Sequence, residues 1–142
     1  IKDYDIIIPK KENVWTLFNV FSIENQYKYR HIPEDFDIMK EILLKKYPDY
    51  DKYINIFTKR SKLYFLNKAH FYNMFIMKKE IFHEYCEWIF DILFECEKYI
   101  KISQHTFQSR VFWFLWERLF NIFVEKKKKE WFKILEVNLI KK

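Results

Sequence analysis

Not one of the 142 residues is glycine, where ordinary usage of about 7% would supply roughly ten. A Walker loop and a Rossmann turn both need glycine, because the backbone must approach phosphate closely. Neither can be present in this chain. Apolar residues make up 50% and aromatics 22%, which is enough for a substantial core in a chain of single-domain size. No apolar run approaches the roughly 18–20 residues of a membrane span. The opening Ile1-Lys2-Asp3 carries neither an initiator Met nor a signal-peptide pattern. It reads as the middle of a longer protein.

Cys86 and Cys96 sit on one predicted helix, about 15 Å apart in rise, too far for a disulfide. Reduced thiols on an apolar stripe fit a cytosolic protein. His31, His70, His83 and His105 lack the spacing of a structural zinc site. The formal charge is +6, densest at Lys126–Lys129. That run reads either as a solvated helix end suited to the helix dipole or as an attraction for anionic lipid or nucleotide phosphate. Nucleic acid is not expected, since the aromatics fall at helical spacing.

Residues 5–9 (DIIIP) read as a buried central strand, and 14–23 are ambiguous. The stretch 33–48 is a well-signalled helix. Pro33 and acids open it, Lys45 and Lys46 close it, Pro48 stops it, and Phe36, Met39, Ile42, Leu43 and Tyr47 face inward. A short helix is expected from Asp49. Residues 72–78 read as a strand and 80–101 as a long helix with the stripe Phe82, Cys86, Ile89, Leu93, Cys96 and Ile100. Trp88, Phe90 and Phe94 widen that stripe enough to predict burial on most sides. Another helix is expected over 107–125 and a closing strand within 131–140. The order implies an α/β layered domain, rich in helix.

Three Asp-x-Asp triplets occur, at Asp3/Asp5, Asp35/Asp37 and Asp49/Asp51. None follows a strand as a metal-binding pair would, and two fall in helix first turns, so all three read as structural. On the 107–125 helix, Arg110, Glu117 and Asn121 share a face. A carboxylate on so apolar a helix is either ion-paired or solvated, or it lines a sugar pocket as a hydrogen-bond acceptor or base. Asn73 either caps its strand or offers an amide at a strand-end cleft. Lys10 and Lys11 are exposed lysines or phosphate contacts. His31 with Glu34 and Asp35 is an acid–base cluster or a helix-start network.

Four blocks together carry a family resemblance: YDIIIPKK (4–11), HIPEDFDIMKEILLKKYPDY (31–50), NMFIMKKEIFHEYCEWIFDILFECE (73–97) and RVFWFLWERLFNI (110–122). They resemble a bacterial domain, originally of unknown function, found in capsular, exopolysaccharide and lipopolysaccharide biosynthesis glycosyltransferases. The resemblance runs over nearly the whole chain. It implies a helix-rich portion of a nucleotide-diphospho-sugar transferase-like (GT-A-like) fold, α/β with few strands, as a single domain over 1–142. That domain would be the C-terminal part of a longer enzyme whose upstream half carries a His-Tyr-Arg-Arg block. Asn73, Arg110, Glu117, Arg118, Lys10 and Lys11 match the family pattern. The chain departs from it at Trp113, where Gly is expected, and at Trp116, where a small Ser is usual. Two indoles there would narrow the pocket, alter the acceptor or disable the site.

The resemblance thus implies hexosyl transfer from a nucleotide sugar to a glycan or lipid-linked surface-polysaccharide acceptor, in the cytoplasm and peripheral to the inner face of the membrane. It places Glu117 and Arg110 as catalytic, with Asn73, Lys10, Lys11 and Arg118 as substrate-binding, and the acid–base reading of the residues themselves adds His31 and Asp35 to the substrate-binding set. Whether a metal is used is left open by these residues; Mn2+ or Mg2+, where one is used, would be bound in the full-length protein. A different expectation is a non-catalytic helical module that docks to a polysaccharide-assembly complex through its aromatic surface and Lys126–Lys129.

Overall fold

The computed structural model describes residues 3–16, 19–20, 22–58 and 68–140. In chain order the elements are β1 (Ile6–Pro9), β2 (Glu12–Asn13), β3 (Trp15–Thr16), β4 (Asn19–Val20), α1 (Ile23–Arg30) and α2 (Pro33–Lys46). A 3-10 turn (Pro48–Tyr53) leads to α3 (Asn55–Thr58), and then come β5 (Lys68–Ala69), β6 (Ile76–Met77) and α4 (Lys79–Glu97). A second 3-10 turn (Gln108–Arg110) opens α5 (Val111–Lys129), and β7 (Ile134–Val137) follows.

The β-branched run of β1 takes the central place its composition predicts. It lies between β6, antiparallel with Ile6 opposite Met77, and β7, parallel with Ile6 opposite Ile134. Asp5 ties the three strands together where β1 and β7 begin and β6 ends. Its carboxylate accepts from the Lys133 backbone N–H at 2.7 Å and pairs with Lys78 at 2.6 Å. Those two contacts hold its pKa below the usual carboxylate value. The Asp3/Asp5 triplet therefore contributes a sheet clamp through Asp5, and Asp37 and Asp49 are likewise in ion pairs, with Lys28 and Lys126.

Helix α2 buries Phe36, Met39, Ile42 and Leu43, while Tyr47 donates to Asp91 of α4 at 2.8 Å. The predicted strand over 72–78 shortens to β6, so Asn73 lies ahead of the strand in unpaired chain. Helix α4 is also rotated from its predicted stripe. Ile81, Tyr85, Trp88 and Ile92 turn inward with Ile89, Leu93 and Cys96, whereas Phe82, Phe90 and Phe94 are exposed. The reason is polar. Tyr85 accepts a 2.6 Å hydrogen bond from the Trp116 indole, and Glu84 pairs with Lys127 of α5. Both contacts fix which face meets α5.

Helix α5 is the hub, with Leu115, Leu119, Phe120, Ile122 and Phe123 fully buried. Its exit matters in a chain without glycine. The Trp131 N–H donates to Lys128 and the Phe132 N–H to Lys127, a Schellman termination that requires a left-handed residue at the position normally given to glycine. Trp131 occupies it, at φ 68°.

Candidate functional site

A pocket of about 320 Å3 opens where the end of α1, the following His31, Phe107 and the first turns of α5 meet. Helix α1 is there because Ser22 caps it, accepting from the Asn25 N–H at 3.1 Å. From it Gln26 and Arg30 reach the pocket, and Asn13, Phe71 and Phe107 supply further walls. The floor is Glu117 and Arg118.

Arg118 is buried at 3% exposure. Its Nη1 donates to Glu117 Oε2 at 2.7 Å and its Nη2 to Gln26 Oε1 at 2.6 Å. The guanidinium also faces the rings of Tyr27 and Phe71, each at 5.5 Å. Its Nε–H has no partner among the described residues. Burial raises the pKa of Glu117, against which Arg118 and the Trp113 indole act by holding negative charge on the carboxylate. The result is a desolvated, oriented carboxylate beside aromatic walls, suited to accept hydrogen bonds from hydroxyl groups.

His31 forms the other wall. Its ring stacks on Phe114 at 4.0 Å and on Phe107 at 5.5 Å. Gln108 Nε2 donates to the Arg30 carbonyl, which leaves Gln108 Oε1 to accept from His31 Nδ1–H at 3.3 Å. Burial first, then repulsion from Arg118, lowers the His31 pKa to about 4. The imidazole is neutral at pH 7, with Nε2 left as an acceptor.

Of the residues expected at a site, the pocket gathers Glu117, Arg118 and His31. Arg118, not Arg110, pairs with Glu117. Arg110 is exposed and lies over the Phe114 ring at 5.7 Å. The expected cluster of His31, Glu34 and Asp35 does not form. Asp35 is buried in α2 close enough to Tyr27 and Cys96 to perturb both, and burial lifts its own pKa to about 6. Lys10 is exposed beyond β1, while Lys11 acts on His70 and Glu136. Neither lines the pocket. Asn73 also lies outside the lining, and both atoms of its side-chain amide are buried without a partner among the described residues. Sequence reasoning missed Gln26, Arg30, Phe71 and Phe107. The signal within reach was the Ser22 cap with Lys28 and Arg30 at the helix end, which marks α1.

A divalent ion does not fit this pocket. Its single carboxylate already faces a guanidinium at 2.7 Å, and no group of three His, Cys, Asp or Glu among the described residues could hold a metal. The Lys126–Lys129 run is largely consumed internally. Lys126 pairs with Asp49 and Glu130, Lys127 with Glu84 and Glu130, and Lys128 with Glu136. Attraction to an anionic surface therefore loses most of its carrier. No helix among the described residues is long and apolar enough to cross a membrane.

Among solved structures, the apo form of WbbM, a bifunctional glycosyltransferase, is similar at a TM-score of 0.81 and 31% identity. The similarity covers 95% of this chain and 23% of that one, so this chain spans about a quarter of its structural relative. No curated protein sequence matches. The helix-rich architecture with few strands is a partial GT-A-like fold. Because the family model described as "Domain of unknown function (DUF4422)" matches residues 1–129, the chain belongs to that glycosyltransferase-related family.

Proposed function

We propose that this chain forms the sugar-contacting portion of a glycosyltransferase that moves a hexosyl group from a nucleotide sugar to a surface-polysaccharide acceptor. The observation that carries the reading is the Glu117 carboxylate, desolvated and clamped by Arg118 at 2.7 Å in an aromatic-walled pocket. Aromatic faces take the apolar faces of a sugar ring, and a few fixed polar groups set its orientation. The resemblance to a bifunctional glycosyltransferase points the same way.

In this reading Glu117 accepts a hydrogen bond from a sugar hydroxyl or takes the proton of the acceptor hydroxyl. Arg118 positions Glu117 and offsets its charge, and Arg30 adds a cation at the pocket for the donor's phosphates. Arg110 acts at longer range on Glu117, lowering its pKa electrostatically. Asn73, Lys10, Lys11 and Asp35 would then serve elsewhere than in this pocket. A metal, if the longer protein uses one, would be held by residues other than these.

The test is Glu117→Gln in the full-length protein. The amide keeps an oxygen for Arg118 and loses the charge and the base. Turnover should fall by about 100-fold or more, while thermal unfolding shifts by a few degrees at most. A panel of UDP-, GDP-, CMP- and dTDP-sugars in a thermal-shift titration should find one donor that stabilises the wild type. Activity surviving the substitution would remove Glu117 from the chemistry, and silence from every donor would remove the transferase reading.

A further inference from the structure

Three rings and one backbone hydrogen bond fix the His31 imidazole at the pocket wall. The His31 N–H donates to the Tyr27 carbonyl at 2.8 Å, closing the end of α1. The ring lies 4.0 Å from Phe114, 4.7 Å from Tyr27 and 5.5 Å from Phe107. Two further hydrogen bonds in series fix its tautomer. A backbone carbonyl can only accept, so the Arg30 oxygen takes the Gln108 Nε2–H at 2.9 Å. That sets Gln108 Oε1 against His31, at 3.3 Å from Nδ1. The amide oxygen also only accepts, so Nδ1 carries the ring proton and Nε2 keeps its lone pair. Nε2 has no partner among the described residues and is not sealed in the interior. His31 lines the pocket, so this nitrogen is within reach of whatever enters there.

We infer that His31 is a specificity residue of this pocket: its Nε2 accepts a hydrogen bond from one hydroxyl of a bound sugar while Glu117 accepts from another. Gln108 is the positioning residue that keeps the lone pair available. The choice of a sugar rests on the transferase reading, but the demand for a donor hydrogen comes from the geometry. A phosphate or carboxylate at Nε2 would set lone pair against lone pair, and an apolar group would leave the nitrogen unsatisfied. A hydroxyl supplies the hydrogen.

The same surroundings separate reading a hydroxyl from deprotonating it. An imidazolium at this wall would be partly buried and repelled by both Arg118 and Arg30. His31 therefore holds the hydrogen bond without taking the proton, and it acts on which sugar binds rather than on the chemical step. A sugar lacking the matching hydroxyl leaves Nε2 bare, which is how a site built around a hydrogen bond rejects an analogue.

The experiment uses the full-length protein and two sets of sugars. One is the nucleotide hexose that stabilises the wild type in the titration above. The other is the methyl glycosides of glucose, galactose and mannose. Each is compared with the forms that lack one hydroxyl. Removing one particular hydroxyl should weaken binding to the wild type by about tenfold. His31→Phe keeps a ring on Phe114 and removes the acceptor, so the same removal should then cost at most about twofold. A penalty in the nucleotide set assigns the hydroxyl to the donor, and one in the glycoside set assigns it to the acceptor. Gln108→Leu, which frees the tautomer, should shrink that penalty and leave those at other positions alone. With the intact sugar, His31→Phe should raise KM by about tenfold and lower kcat far less.

Three results would overturn the assignment. They are a wild type indifferent to the loss of every hydroxyl, a penalty equal in the wild type and His31→Phe, and a collapse of kcat with KM unchanged, which would make His31 a base. If His31→Phe does not fold, a penalty left intact by Gln108→Leu overturns it instead. The two proposals fail separately. A donor response without any His31-dependent penalty defeats this assignment alone. A His31-dependent penalty among the methyl glycosides without any donor response defeats the transferase reading and leaves His31 as a sugar contact.

Discussion

Asn121 ties α5 to the chain at His70 through a single buried amide. It sits 2% exposed on α5, where its Oδ1 accepts from the His70 N–H and its Nδ2 donates to the His70 carbonyl, both at 2.8 Å. The amide thus completes the peptide group of His70 as a neighbouring strand would, and Nδ2 also donates to the Glu117 carbonyl. Asn121→Ala strands two buried backbone groups, so it should cost about 2–3 kcal/mol, read as a lower midpoint in urea with an unchanged slope. Glu117 should keep its pairing with Arg118, so donor binding should weaken far less than stability. The sequence places Asn121 on the face of Glu117 by helical geometry alone. It could not show that its partner is a backbone 51 residues away. Arg118 was misjudged in rank for the same reason. Helical spacing favours Arg110, seven residues before Glu117, whereas the adjacent Arg118 finds Gln26 across the chain at 2.6 Å.

Elements were legible where the chain carries local punctuation, and less so where packing decides. Pro33, the acids after it and Pro48 bracket α2, and the run IIIP makes β1. Helix α4 has apolar residues on adjoining stripes, so periodicity alone could not choose between Phe82-Cys86 and Ile81-Tyr85. The Tyr85–Trp116 and Glu84–Lys127 contacts made the choice. The exit of α5 shows a cost of the missing glycine. Trp131 holds φ 68° with its side chain 92% exposed, and a left-handed conformation costs a residue with a Cβ about 1–2 kcal/mol. The indole returns little packing against that. Trp131→Gly should therefore stabilise the protein by about 0.5–1 kcal/mol after the greater entropy of unfolded glycine is deducted, seen as a rise in melting temperature. An unchanged or lower value would mean that the indole makes contacts that outweigh the left-handed cost.

For the whole molecule, acid is the informative stress, because buried titratable groups pull in opposite directions. His70 is 3% exposed, with Pro9 at its Nδ1 and Glu136, Lys128 and Lys11 around it. Burial lowers its pKa from 6.5 to about 4, and His31 is lowered to about 4 as well. A base with a depressed folded pKa binds fewer protons folded than unfolded. Its contribution is complete above pH 6.5 and is lost as pH falls from there toward 4. Asp35 runs the other way. Burial raises it from 3.8 to about 6, so the fold favours its protonated form, and it costs stability as pH rises through that interval. Two histidines outweigh one aspartate, and the melting temperature should be flat above pH 6.5 and decline below it. Under about pH 4.5 the decline should steepen, as Asp5, Asp91, Glu130 and Glu136, all held low by lysine partners, become protonated. Asp35→Asn separates the terms. It removes the buried charge, so it should raise the melting temperature by a few degrees at pH 7.5, change little at pH 4, and make the fall between pH 6 and 4 steeper. A parallel downward shift at every pH would mean instead that the Asp35 carboxylate is stabilising in its charged form.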